Sequence, residues 1–295
     1  MPDTLHGETE EALRERAADA LEHALGFVDA HGGELARMRA RVVLRAVPVE
    51  QLTGEIASRQ LPDGSFTGPL AEVSLASELD LCDPPVPEAL RATLGALAVL
   101  AEARALHTGC VEAAVGWASR MQRADGSWGG EAATSDAGIF ATGMLGGYLG
   151  RTRVARPEPL ARAGAFLAGL WSPERVEGGA WSVLTAFAHF FSNVPQNAAH
   201  DLADELLQWC GRELERGFRS HRFEALAVMR TLLDIDAAAM PGATLDTQEV
   251  LERLLAEQAS DGGFAELVPD GPVGRVGPTI DATRAILALC ATLRG

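Results

Sequence analysis

Three seven-residue segments of this chain share one frame: Gln60-Leu-Pro-Asp63-Gly64-Ser65-Phe66, Gln122-Arg-Ala-Asp125-Gly126-Ser127-Trp128 and Gln258-Ala-Ser-Asp261-Gly262-Gly263-Phe264. Each sets Gln six residues before an aromatic, with Asp-Gly at the same two positions between them. Internal repetition at this spacing marks an array of similar supersecondary units, each of which buries its apolar face only against its neighbours. The local chemistry reads as a helix ending, a tight turn and a lock. Gln falls in the last helical turn, Asp-Gly supplies the positive φ that stops the helix, and the aromatic folds back over the Gln amide. Gly178-Gly179-Ala180-Trp181 reads as a degenerate fourth copy, with Arg175 where Gln would stand. Gly217-Phe218 and His31-Gly32-Gly33 are fainter fifth and sixth candidates.

Helical periodicity fills the intervals between these marks. It predicts helices near 8–30, 35–47, 49–60, 86–106, 108–122, 136–150, 157–171, 181–193, 198–216, 220–236, 246–258 and 280–294, which is six sequential hairpins. Starts are signalled by Pro87, Ser135 or Asp136, Pro157 and Asp246, and stops by Gly or by the turn motif. Ala, Leu, Glu and Arg abound while Tyr occurs once, a composition of good helix formers. No Pro/Ser/Gly linker divides the chain, so residues 1–295 read as one domain. The expected fold is all-α, an α6/α6 toroid of six helical hairpins in two concentric rings.

Charge and cysteine usage narrow the partners. The formal net charge is −16, and all 25 basic residues are Arg. An acidic surface repels phosphate backbones, so no nucleic-acid partner is expected. A few buried Arg would still suit one anionic ligand. Residues Met1 to Arg16 lack a basic segment followed by an apolar one, and no stretch reaches the length of a membrane span. Cys82, Cys110, Cys210 and Cys290 lie far apart, as reduced thiols of a cytoplasmic protein would. The expected location is therefore the cytoplasm, and the oligomeric state is open.

The Gln-x-x-Asp-Gly-Ser-Trp frame resembles the repeat of the terpenoid cyclase and prenyltransferase superfamily, that of squalene-hopene cyclases and the β-domains of class II diterpene cyclases. As a repeat pattern the resemblance covers most of the chain. It implies the toroid, and an isoprenoid or other apolar substrate, with or without a diphosphate, in a central cavity. In those relatives the helix after each repeat opens on an acidic signature. The matching segments here are Thr134-Ser135-Asp136-Ala137-Gly138 and Thr279-Ile280-Asp281-Ala282-Thr283, each with one Asp where class II cyclases carry Asp-x-Asp-Asp. The Cys-His pair of lanthionine cyclases is absent, and Asp80-Leu-Cys-Asp83 is a poor match to the metal motif of class I synthases. No metal site and no cofactor are implied.

Individual residues carry two readings each. Asp136 and Asp281 begin inner helices, where a carboxylate caps free N–H groups, or serves as a cavity acid when desolvation raises its pKa. The segment 181–193 holds Trp181, Phe187, His189, Phe190 and Phe191, and Phe140 follows Asp136. Such aromatics pack a core or line a cavity that steadies carbocations, and His189 is a core histidine or a proton relay. Arg91 and Arg284 pair along their own helices with Glu88 and Asp281, or grip a diphosphate or carboxylate at the cavity mouth. Arg14, Arg151 and Arg162 are read as solvated. Loops 67–85 and 265–279 are expected to emerge near the inner-helix starts. Two functions compete: a terpenoid cyclase-like enzyme working by acid/base or carbocation cyclisation or isomerisation, and a non-catalytic toroid that binds a hydrophobic ligand or protein partner.

Overall fold

The computed structural model describes residues 10–68, 86–130, 133–194, 200–237, 239–264 and 271–293, without the side chains of 200 and 201. Among these residues twelve helices of nine residues or more occur, and the sole β pairing is an isolated bridge between Gln60 and Phe66. They are α1 Glu10–His31, α2 Glu34–Val43, α3 Val49–Ala57, α4 Glu88–Glu102, α5 Gly109–Met121, α6 Asp136–Gly150, α7 Pro157–Leu170, α8 Trp181–Asn193, α9 His200–Arg219, α10 Ala225–Asp234, α11 Thr247–Ala256 and α12 Val276–Thr292. A one-turn helix, Pro173–Val176, and a 3-10 turn, Gly271–Arg275, complete the set. Each expected helix has a counterpart; 136–150 and 181–193 match at both ends, and the others differ at one end or both. Cys82 and most of the two long loops, 69–85 and 265–270, lie outside the described residues.

The repeated frame is a lock with three hydrogen bonds. Gln60 Nε2 donates to the carbonyl of Gly64 in its own turn and to that of Cys110 in α5. Gln122 does the same to Gly126 and to Pro159 in α7, and Gln258 to Gly262 and to Ala20 in α1. The aromatic's main-chain N–H donates to a threonine of the intervening helix: Phe66 to Thr93, Trp128 to Thr142, and Phe264 to Thr279. Each lock thus joins an odd-numbered helix to the next odd helix and to the even helix between them. The last lock returns to α1, which also packs on α11 and α12. Gly64, Gly126 and Gly262 have φ near 90°, a region open to glycine. A Cβ at Gly126 would also strike the carbonyl of Arg162.

Gln60 and Gln258 lie just beyond their helices and Gln122 is the C-cap of α5, so the amide is set by the turn rather than by the last helical turn. The degenerate copy uses another bond: Gly178 N donates to the fully buried Glu213 of α9. Gly217-Phe218 is no turn at all, because α9 continues to Arg219.

Even-numbered helices touch in succession: α4 on α6, α6 on α8, α8 on α10, α10 on α12, and α12 on α2. An ion pair between Arg39 of α2 and Glu102 of α4 spans the remaining step. The α6–α8 pair is the tightest because α6 presents glycines along one face. A Cβ at Gly143 would sit 2.6 Å from the Ala186 carbonyl, and at Gly146 2.6 Å from the Phe190 ring. Between α8 and α10 the polar contacts Trp181–Ala227, Thr185–Thr231 and His189–Asp234 are separated by 46, 46 and 45 residues, the constant offset of parallel helices. Their C-terminal ends therefore emerge together.

Candidate functional site

At the C-terminal end of α10, beside those of α2, α4 and α6, lies a cavity of about 470 Å³. Its wall takes Val42 and Val43 from α2, Ala98, Ala101 and Glu102 from α4, Tyr148 from α6, Arg230, Leu233 and Asp234 from α10, and Asp281, Arg284 and Leu287 from α12. Arg39 forms its floor, 1 % exposed. A buried arginine costs heavily unless its charge is met. Here Arg39 Nη2 donates to Glu102 Oε2 at 2.9 Å and lies 3.7 Å from Asp281 Oδ1. Arg284 reaches Glu102 at 3.5 Å, and Arg230 reaches Asp281 at 3.3 Å while stacking over the Trp181 ring, 4.8 Å from its centroid. Trp181 is itself anchored by its indole N–H on the Ala227 carbonyl at 3.0 Å.

Around this cluster the wall carries Arg39, Arg45, Arg104, Arg151, Arg230 and Arg284 against Glu102, Asp234, Asp236 and Asp281. Six cations over four anions leave a surplus of two positive charges, in a chain whose net charge is −16. Arg151 lies at the C-cap of α6, its side chain 18 % exposed, 3.4 Å from Asp236. It is thus a wall residue of the cavity, unlike the solvated surface arginine expected from the sequence. Burial, followed by the Asp234 charge, holds the Tyr148 hydroxyl well above its ordinary pKa, so it remains a proton-bearing donor at neutral pH. Glu102 Oε1 is buried and accepts no hydrogen bond among the described residues.

Of the residues singled out in the sequence, Asp281 and Arg284 line this cavity, and Trp181 lies outside its wall, joined to the cluster through Arg230. Asp281 does not head its helix. α12 starts at Val276, so Asp281 stands in the second turn and faces Arg39 and Arg230. Asp136 begins α6, at the opposite end of that helix from Tyr148 and Arg151. It is exposed and lies 3.4 Å from Arg175, while the cap bond is made by Ser135, which accepts from Gly138 N. Arg91 sits in the first turn of α4, the far end from Glu102.

Phe140, Phe187 and Phe190 are at most 1 % exposed and lie in the main hydrophobic core, outside the cavity wall. His189 is fully buried beside them, with its ring 4.6 Å from that of Tyr148 and its Nδ1 2.9 Å from the Asp234 carbonyl. Burial, with Arg151 nearby, pushes its pKa down to about 3, so the ring is neutral and Nδ1–H donates. Burial pushes the Cys210 thiol up to about 12. Among the described residues no three His, Cys, Asp or Glu side chains group closely enough to hold a metal ion, and no helix is long and apolar enough to cross a membrane.

Arg39, Glu102 and Arg230 escaped the sequence reading, although a signal exists. Arg39 shares a helix face with the buried Leu35 and Ala36, four and three positions away. A charge on an apolar stripe implies a buried partner. Comparison of the chain with protein-family models, curated proteins and solved structures found no match.

Proposed function

We propose that this chain is an α6/α6 toroid, its even-numbered helices forming the inner ring, and that it binds a small anionic molecule in the cavity at their C-terminal ends. Ring architecture is supported by the succession of even-helix contacts, by locks that step from one odd helix to the next, and by the return of the last lock to α1. The ligand class rests on one observation: the arginine surplus in the cavity wall of an acidic protein. Guanidinium forks match carboxylate and phosphate oxygens in pairs, and a partly desolvated site strengthens each contact. Titration calorimetry at low ionic strength with inorganic diphosphate tests this. Saturable binding that weakens with salt and is lost in Arg284→Gln is expected; no heat from wild-type protein at millimolar diphosphate would end the reading.

A second reading is favoured by a neighbouring chamber of about 260 Å³ between α10, α11 and α12, lined by Met229, Leu232, Leu233, Val250 and Leu289. It shares Arg104, Leu233 and Asp236 with the charged cavity. An anion with an apolar tail, such as the isoprenoid diphosphate that the resemblance implies, would seat its head among the arginines and its tail here. In an enzyme of this kind Asp281 is, of the acid and base candidates named from the sequence, the one that lines the wall, since Asp136 and His189 stand outside it. Incubation with C10 to C20 prenyl diphosphates and product analysis separates the two: unchanged substrate leaves a binding protein.

A further inference from the structure

The C-terminal ends of α2, α4 and α10 turn in the same way. After α2, Ala46 N donates to Arg41 O and Arg45 N to Val42 O; after α4, Ala105 N to Leu100 O and Arg104 N to Ala101 O; after α10, Ala237 N to Leu232 O and Asp236 N to Leu233 O. This paired closure puts the residue just past the helix cap in the left-handed region, the place glycine usually takes because it has no Cβ to clash. Here the residues are Arg45 at φ 57°, Arg104 at φ 56° and Asp236 at φ 56°. All three line the charged cavity, and all three are exposed, so they form its rim.

A side chain kept where the backbone favours glycine calls for a reason in the side chain. Attraction of a cation to helix-end carbonyls would account for the arginines, yet it makes Asp236 unfavourable at the same position. Charge pairing accounts for Asp236, which meets Arg151. It does not account for Arg45 and Arg104, whose guanidinium groups have no ion pair among the described residues. These two supply the surplus of positive charge in the wall.

Building on the anion-cavity reading, we propose that Arg45 and Arg104 are ligand-binding residues at the mouth, and that the ligand carries two negative charges, as a phosphate group or a dicarboxylate does. Two unmatched guanidinium groups on the rim, one past the end of α2 and one past the end of α4, then meet a dianion entering the site.

Glycine replacement separates backbone from side chain, because it relaxes the turn while deleting the charge. The set is Arg45→Gly, Arg104→Gly, Asp236→Gly and His221→Gly. His221 has φ 57° at the end of α9, outside the cavity wall, and serves as the backbone control. Melting temperature and calorimetric affinity are measured for inorganic phosphate, inorganic diphosphate, malonate and acetate. Melting temperatures equal to or above wild type are expected in all four variants. Arg45→Gly and Arg104→Gly each weaken dianion binding about tenfold, the worth of one charge-assisted contact. Asp236→Gly tightens it, His221→Gly leaves it unchanged, and acetate binds more weakly than any dianion. Preference for the phosphates or for malonate identifies the source of the charge. Wild-type affinity in both arginine variants, or a loss of affinity that accompanies a fall in melting temperature, overturns the rim assignment while leaving the cavity reading intact. Failure of wild-type protein to bind any of the probes removes both.

Discussion

The main-chain N–H of Trp128 donates to Thr142 Oγ1 at 3.1 Å, and that bond recurs between Phe66 and Thr93 and between Phe264 and Thr279. Both partners are buried at each site. Thr142→Val keeps the shape and leaves a buried N–H without an acceptor, at a cost of about 1 to 3 kcal/mol. Trp128→Ala removes a large side chain whose indole N–H also bonds the Ala118 carbonyl, and should cost about 3 to 5 kcal/mol. Urea denaturation measures both; a Trp128→Ala midpoint equal to wild type would show that the frame braces nothing.

The turn glycines should be irreplaceable where other glycines are not. Gly126→Ala places a side chain at φ 92° and drives its Cβ into the Arg162 carbonyl. A loss above about 2 kcal/mol is expected, more than the left-handed penalty alone. Gly26 sits inside α1 with nothing within 4 Å of a Cβ, so Gly26→Ala should stabilise by about 0.5 to 1 kcal/mol. Opposite shifts in melting temperature for the two alanine variants are the signature.

These locks were legible because each writes its chemistry locally: Gln, Asp and Gly act within seven residues. Helix ends were less so. The last helix was expected to start at residue 280, whereas α12 begins at Val276 and holds Pro278 in its first turn. There the missing N–H would have had no helical partner anyway. That shift moves Asp281 from a helix head to an interior face. The cavity was hidden for a different reason. Arg39, Glu102, Arg230 and Asp281 are separated by up to 242 positions, from 39 to 281, and meet through long-range helix packing that no local pattern encodes. The aromatic run of α8 was visible, but not which way it faces. The glycine face of α6 decides that by drawing α8 close and burying Phe187, His189 and Phe190.

His189 makes stability depend on pH. Its folded pKa, about 3, lies below the ordinary value of 6.5, so only the unfolded chain takes up a proton between those limits. Stability is complete above pH 6.5 and falls as pH drops toward 3. From pH 7 to pH 5 the loss from this one group is roughly 2 kcal/mol. His189→Gln can retain a donor toward the Asp234 carbonyl and cannot titrate, so its stability should be flatter over pH 7 to 5. Parallel pH profiles for variant and wild type would place the titration elsewhere.

Losing two members of the buried ion cluster together should cost less than the two single losses added. Arg39 and Glu102 have side chains 2 % and 5 % exposed. Arg39→Met leaves two carboxylates without that guanidinium, for a loss of about 3 to 5 kcal/mol. Adding Glu102→Leu removes one of the stranded charges. The double variant is therefore expected to be more stable than the sum of the single losses implies. Additive losses in a double-mutant cycle would show that the two side chains are not coupled.

Asp136 and Asp281 occupy matching places in the sequence and opposite settings in the fold, so their asparagine variants should part ways. Asp136 is exposed and its pairing with Arg175 is solvent-screened; Asp136→Asn should change stability by less than about 1 kcal/mol and leave diphosphate affinity unaltered. Asp281 lies between Arg39 and Arg230. Asp281→Asn frees positive charge toward the cavity, so diphosphate should bind more tightly while the fold loses an ion-pair acceptor and melts lower. If a prenyl diphosphate is turned over, the same substitution removes the carboxylate proposed to act, and turnover should drop by at least about a hundredfold. Turnover abolished in Asp136→Asn but intact in Asp281→Asn would put the chemistry at the N-terminal ends of the even helices, away from the arginines.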